Sequence, residues 1–103
     1  MYSVRYLPVA RRDLVDIASY IANTLGNSRA ASDTASGIVN AISSLVTMPY
    51  RRRVYQTAHP LRHEYRCIGY ENYLAFYWID EDNKAIVVAR ILYAKSSIAQ
   101  KLG

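Results

Sequence analysis

The stretch that decides the fold runs from residue 65 to residue 95. It reads Tyr65-Arg66-Cys67-Ile68, then Asn72-Tyr73-Leu74-Ala75-Phe76-Tyr77-Trp78-Ile79-Asp80, then Ala85-Ile86-Val87-Val88-Ala89-Arg90-Ile91-Leu92-Tyr93-Ala94-Lys95. Three runs rich in β-branched and aromatic residues predict strands over about 62–68, 72–80 and 84–93. The links Gly69-Tyr70-Glu71 and Glu81-Asp82-Asn83 are short, so the strands join as an antiparallel meander. The middle strand is apolar on both faces, with Tyr73, Ala75, Tyr77 and Ile79 on one and Leu74, Phe76 and Trp78 on the other. Such a strand is central and covered on both sides. Two arginines interrupt this apolar pattern. Arg66 lies in the first strand, and Arg90 follows Ile86 and Val88 in the last, with Leu92 beyond it on the same face if the alternation is regular.

Upstream, Tyr2, Val4 and Tyr6 alternate with Ser3 and Arg5, which predicts a strand over 2–7. Pro8 stops it and suits the first turn of a helix. Ala10, Leu14, Ile17, Ala18, Ile21 and Leu25 recur on one helical face, and Gly26-Asn27 ends that helix. Asn27 or Ser28 can cap a second helix carrying Ala31, Ala35, Ile38, Ile42 and Leu45, which stops before Pro49. The turn between them is so short that they form an antiparallel hairpin. Small residues early in the second helix (Ala30, Ala31, Ala35, Gly37) predict a close helix–helix approach. Residues 50–61 read as a basic loop, and 96–103 as a short tail with a helical turn or two. The expectation is one α+β domain over 1–103, with the hairpin packed on one face of a single sheet and something else, a partner included, against the other.

Composition narrows the function classes. The 103 residues carry 13 Lys+Arg against 8 Asp+Glu, a formal charge of +5, and 51% of them are hydrophobic. One core fits that length, and disorder does not fit that hydrophobicity. The half from Arg51 onward holds nine of the basic residues, which suits an anionic partner, nucleic acid or an acidic protein segment. A single cysteine, Cys67, cannot form an internal disulfide. No run has the length of a signal-peptide core or a membrane span, so a cytoplasmic protein without membrane contact is expected.

Few residues offer chemistry. Arg66, Arg90, Tyr93 and Lys95 can gather guanidinium, phenol and ammonium groups at one end of the sheet, and arginine grips phosphate bidentately. Alternatively Arg66 and Arg90 pair with Glu64, Glu71 or backbone carbonyls and serve structure. Arg51-Arg52-Arg53 with Tyr55 can track a nucleic-acid backbone, or simply form a solvated loop. His63 and Glu64 can supply acid–base chemistry, though nothing requires it. His59, His63 and Cys67 do not form a metal site, because residues four apart in a strand lie about 13 Å apart. No Gly-rich phosphate loop and no nucleophile–His–carboxylate set is present, which argues against a conventional hydrolase.

The order of elements resembles the RelE/ParE superfamily of toxins from type II toxin–antitoxin systems, over essentially the whole chain. The resemblance is carried by Pro8-Val9-Ala10-Arg11-Arg12-Asp13-Leu14, Tyr20-Ile21, Asn27, Ala30-Ala31, Met48-Pro49 and Tyr65-Arg66. It continues through Asn72-Tyr73-Leu74-Ala75-Phe76-Tyr77 and Arg90-Ile91-Leu92-Tyr93-Ala94-Lys95. It implies a toxin held inactive by a small antitoxin, with no cofactor, and with operator DNA contacted only through that antitoxin. RelE-like members cut mRNA on the ribosome without a metal, whereas ParE-like members are associated with poisoning DNA gyrase. Tyr73 stands where nuclease branches begin the middle strand with a catalytic arginine. Leu92-Tyr93 stands where YoeB-like members have His-Tyr, and Lys95 near an arginine of RelE. The resemblance therefore leans to the ParE-like branch and gyrase. If the chain is an enzyme, it implies an mRNA endoribonuclease using Arg66, Arg90, Tyr93 and Lys95. Target contacts fall to Arg51, Arg52, Arg53 and His63, and antitoxin contacts to Leu14, Ile17, Ile21, Ile38 and Ile42.

Overall fold

A computed structural model describes residues 1–57 and 59–102. Ala58, inside the expected basic loop, and Gly103, at the end of the expected tail, lie outside the described residues. Strand β1 (Ser3–Tyr6) leads into helix α1 (Pro8–Ser19), with Pro8 in its first turn. The helix continues through a wider π turn, Tyr20–Thr24, and ends where Gly26 takes a positive φ of 68°. Asn27 caps α2 (Ser28–Ser43), its side-chain oxygen accepting the Ala30 N–H at 2.9 Å. Two 3₁₀ turns, Ser44–Val46 and Pro49–Arg51, lead to the long loop. Strands β2 (Arg66–Tyr70), β3 (Tyr73–Asp80) and β4 (Ala85–Tyr93) form the meander, and α3 (Ile98–Leu102) follows.

The sheet order is β1-β4-β3-β2. The N-terminal strand therefore closes the sheet parallel to β4, Ser3 opposite Ala85 and Tyr6 opposite Val88, with the helical hairpin as the crossover. The hairpin packs on one face, where Ile38, Ile42 and Leu45 meet Ala75, Tyr77, Ile86, Val88 and Ile91. Tyr77 is wholly buried, and its hydroxyl donates to the Pro49 carbonyl at 2.8 Å, fastening the start of the loop to the sheet. The other face belongs to this chain too, not to a partner. Loop residues Tyr55, Leu61 and Tyr65, with Ile98 and Leu102 of α3, cover Phe76, Ala89 and Leu92.

Three expectations need correction. The first meander strand begins at Arg66, four residues later than its pattern suggests, because His63 and Tyr65 pack onto Trp78 from a loop. Its turn is Glu71-Asn72, since Gly69 and Tyr70 still pair with Leu74 and Tyr73. Gly37 serves the sheet, not the helix pair: a Cβ there would lie 2.0 Å from Cζ of Tyr70, whose ring occupies that space.

A β-bulge has the larger consequence for the site. Phe76 pairs with Arg90 but Tyr77 pairs with Val88, leaving Ala89 without a partner. The extra residue reverses the alternation. Ile86 and Val88 face the hairpin, while Arg90 and Leu92 move to the opposite face and Ile91 takes the hairpin side.

Candidate functional site

Arg90 is held in place by an acid from helix α1. β1 ends opposite Val88, so the outer edge of β4 beyond that point has no strand beside it. Asp13 fills the gap. Its Oδ2 accepts the Ile91 N–H at 2.9 Å and the Arg90 Nε–H at 2.7 Å, and its Oδ1 accepts from Nη2 at 2.9 Å. The remaining guanidinium nitrogen donates to the Lys101 carbonyl at 3.2 Å, reaching α3. The Arg90 and Asp13 side chains are only 23% and 11% exposed. The carboxylate raises the Arg90 pKa above its already high ordinary value. One residue thus ties α1, β4 and α3 together, using the bidentate geometry that would otherwise serve a phosphate.

The other expected members of that set do not join it. Arg66 opens β2 opposite Tyr77, whereas Tyr93 lies opposite Tyr73 at the far end of the same sheet. Four residues of strand separate those levels, about 13 Å, with two strand spacings, about 10 Å, across the sheet. Arg66 donates to the Arg52 carbonyl at 2.5 Å, lies 3.5 Å from Glu64 and sits over the Tyr50 ring at 5.1 Å. Lys95 is exposed in the turn beyond Tyr93. The expectation that the four converge at one end of the sheet is corrected by the register and by the bulge.

The arginine run behaves differently. Arg51, Arg52 and Arg53 are exposed and line an open groove of about 610 Å³ with Tyr55 and Cys67. Arg51 donates to Ser44 Oγ at 2.5 Å and Arg52 to the Cys67 carbonyl at 3.2 Å. Among the described residues Arg53 has no hydrogen bond or ion pair. His63 stacks face to face on Trp78, ring centres 3.7 Å apart, so packing fixes its ring. Burial pushes the Cys67 thiol up, which keeps it protonated and unreactive at neutral pH. No three His, Cys, Asp or Glu side chains gather into a metal-ligand set among the described residues.

An apolar cleft of about 600 Å³ lies at the other end, between the π turn and the sheet, lined by Asp16, Ile17, Tyr20, Leu25, Tyr73 and Tyr93. Tyr20 and Leu25 are 53% and 60% exposed at its rim. The expected antitoxin-facing residues divide here. Ile17 lines the cleft, Leu14 is half-buried against the core and Ile21 is buried. Ile38 and Ile42 are 2% and 1% exposed because α2 turns that face onto the sheet, so they form the core and no docking surface.

A family model described as the ParE toxin of the type II toxin–antitoxin system parDE matches residues 4–98. The chain belongs to the ParE toxin family. Its fold is similar to the chromosomal ParDE system of P. aeruginosa, at TM-score 0.73 and 20% identity, covering 92% of this chain and 98% of that one. It is also similar to the RelBE2 toxin–antitoxin complex of Mycobacterium tuberculosis, at TM-score 0.60 and 21% identity over 91% and 93% of the two chains. The isolated RelE toxin of E. coli matches at TM-score 0.58 and 10% identity, over 98% and 94%. None of the curated proteins matches the chain. The type II toxin fold and family inferred from the element order are borne out, as is the lean to the ParE-like branch.

Two features of this ParE-family toxin escape sequence reading. Glu81, in the turn between β3 and β4, accepts from the hydroxyls of Tyr2 and Tyr50 and from Lys84 Nζ at 2.7 Å. Those donors, the Lys84 ammonium first, hold its carboxyl down at about 2. In return Glu81 pushes the Tyr50 hydroxyl up to about 12. The acidic run 80–82 was visible, but its two tyrosine partners come from opposite ends of the first half. The other feature is the exposure of Val15, Tyr20 and Leu25 on the hairpin, Leu25 standing in the open although it continues the apolar spacing of the helix.

Proposed function

We propose that this toxin arrests growth by inhibiting DNA gyrase and is neutralised by a cognate antitoxin, and that it does not cleave mRNA. The observation carrying this reading is the state of the four candidate nuclease residues. Arg90 is engaged through all three of its guanidinium nitrogens by Asp13 and Lys101, and Arg66 and Tyr93 are too far apart to share one phosphate. Phosphodiester transfer needs a base, an acid and charge stabilisation around the same few atoms. The second sheet face, moreover, is filled by Phe76, Leu92, Ile98 and Leu102. For the antitoxin, the cleft beside Tyr20 and Leu25 offers an apolar anchor at the end of the hairpin, suited to an amphipathic helix laid in a groove. Acidic residues on the same antitoxin would be drawn to the basic half.

Induced expression without the antitoxin tests this reading. The expected result is a DNA-damage response and filamentation with transcripts intact. Rapid loss of translation with cut transcripts would establish the RelE-like alternative instead.

A further inference from the structure

The grooves around the arginine run adjoin one another along Val54–Gln56. A second open groove, of about 320 Å³, shares Val54, Tyr55 and Gln56 with the first. Together they make a trough whose walls carry Arg51, Arg52, Arg53, His59, Arg62 and His63. Glu64 is the only acid lining it among the described residues, and that carboxylate already faces Arg66 at 3.5 Å. The other seven acids of the chain lie outside the trough. The cations are also partly pre-set, since Arg52 is tethered to the Cys67 carbonyl and Arg51 to Ser44. Rotamers held in this way lose less entropy on binding an anion.

We propose that this trough binds the phosphate backbone of duplex DNA without regard to base sequence. Single-stranded nucleic acid is the poorer fit, because its binding depends on exposed aromatic rings for base stacking. Here Tyr55, His63 and Tyr65 of the trough are already engaged. Tyr55 packs edge-on against Phe76 at 5.1 Å, and His63 is stacked on Trp78. An acidic peptide is also the poorer fit, since a peptide seeks an enclosed apolar pocket for its anchors and both grooves are open. A duplex offers a repeating row of phosphates to a row of arginines. The inference deepens the gyrase reading, on which its biological setting rests, by giving the toxin a direct hold on the DNA that enzyme carries.

The test is an anisotropy titration of the full chain with a labelled duplex of about 30 base pairs, the matching single strand and a polyglutamate peptide, across 50 to 200 mM salt, a range over which counterion release is easily read. Four arginines neutralising four phosphates predict a slope of log K against log salt of about −3.6 on duplex DNA. Arg53→Glu with Arg62→Glu should flatten it to about −1.8 and weaken binding at least tenfold at low salt. Neither residue makes a hydrogen bond or ion pair among the described residues, and a glutamine pair replaces the glutamates if circular dichroism shows a folding defect. Arg29→Glu, in the first turn of α2 and outside both grooves, should leave binding within about twofold. Tighter binding to the single strand or to polyglutamate, or an unchanged double variant, overturns the proposal. If the duplex binds as described and gyrase is untouched, the trough stands and the target reading falls. If gyrase is inhibited while the wild type ignores duplex DNA, the reverse holds.

Discussion

Arg90 and the arginines of the 51–62 loop are the same residue type put to opposite uses. Arg90 is largely buried, each of its guanidinium nitrogens donates to the fold, and its contacts join three elements. Arg53 and Arg62 stand on an open surface and hold nothing together among the described residues. The difference lies in what surrounds the charge. A guanidinium at the open edge of β4 must be neutralised within the fold, whereas one on a solvated loop stays available to a partner. Arg66 falls between them, tethered to a loop carbonyl yet lying over the exposed ring of Tyr50.

The contrast can be broken by substitution. The largest effect should come from Asp13→Ala, which strands Arg90 and frees the Ile91 N–H. We expect a loss of about 3 kcal/mol in urea unfolding, with Arg90→Met added to it costing less than the sum of the two single changes. A loss under about 0.5 kcal/mol, the level of an ordinary surface site, would show that the pair is ornamental. Arg66→Met should cost about 1 kcal/mol, the worth of one partly exposed charged hydrogen bond, and should loosen the loop to proteolysis. The Glu81 cluster, which fastens the other end of that loop through Tyr50, should act more weakly because it is solvent-exposed. Its folded pKa lies below the ordinary carboxylate value. Its contribution is therefore complete above about pH 4.5 and is lost as pH falls toward about 2. Stability followed against pH should lose that acid-limb component in Glu81→Gln. The smallest effect belongs to Arg53→Ala, expected to stay within about 0.5 kcal/mol of wild type. A larger loss would move Arg53 from the open class to the structural one.

Much of the fold was legible because local signals agreed. Pro8 opened α1, Asn27 capped α2, and the double-sided apolar pattern of β3 marked the centre of the sheet. The site was less legible, for reasons that are physical. A bulge at Ala89 leaves no mark in the apolar run Ala85–Ala89, yet it carries Arg90 to the other face. Asp13, the partner that decides what Arg90 does, is 77 residues away. His63 and Tyr65 alternate as a strand would, but their rings pack onto Trp78 more favourably than their backbone pairs. Ile38 and Ile42 looked like one face of an amphipathic helix, which they are. Periodicity says that such a face is covered, not which element covers it.

The central claim is that the chain is a toxin acting on gyrase, its strand arginines serving the fold. Purified toxin tested with gyrase, ATP and relaxed plasmid, in parallel with translating ribosomes on a defined message, addresses it most directly. The account predicts blocked supercoiling or accumulated cleaved plasmid, with the message intact. Normal supercoiling together with a message cut in the ribosomal A site would contradict it.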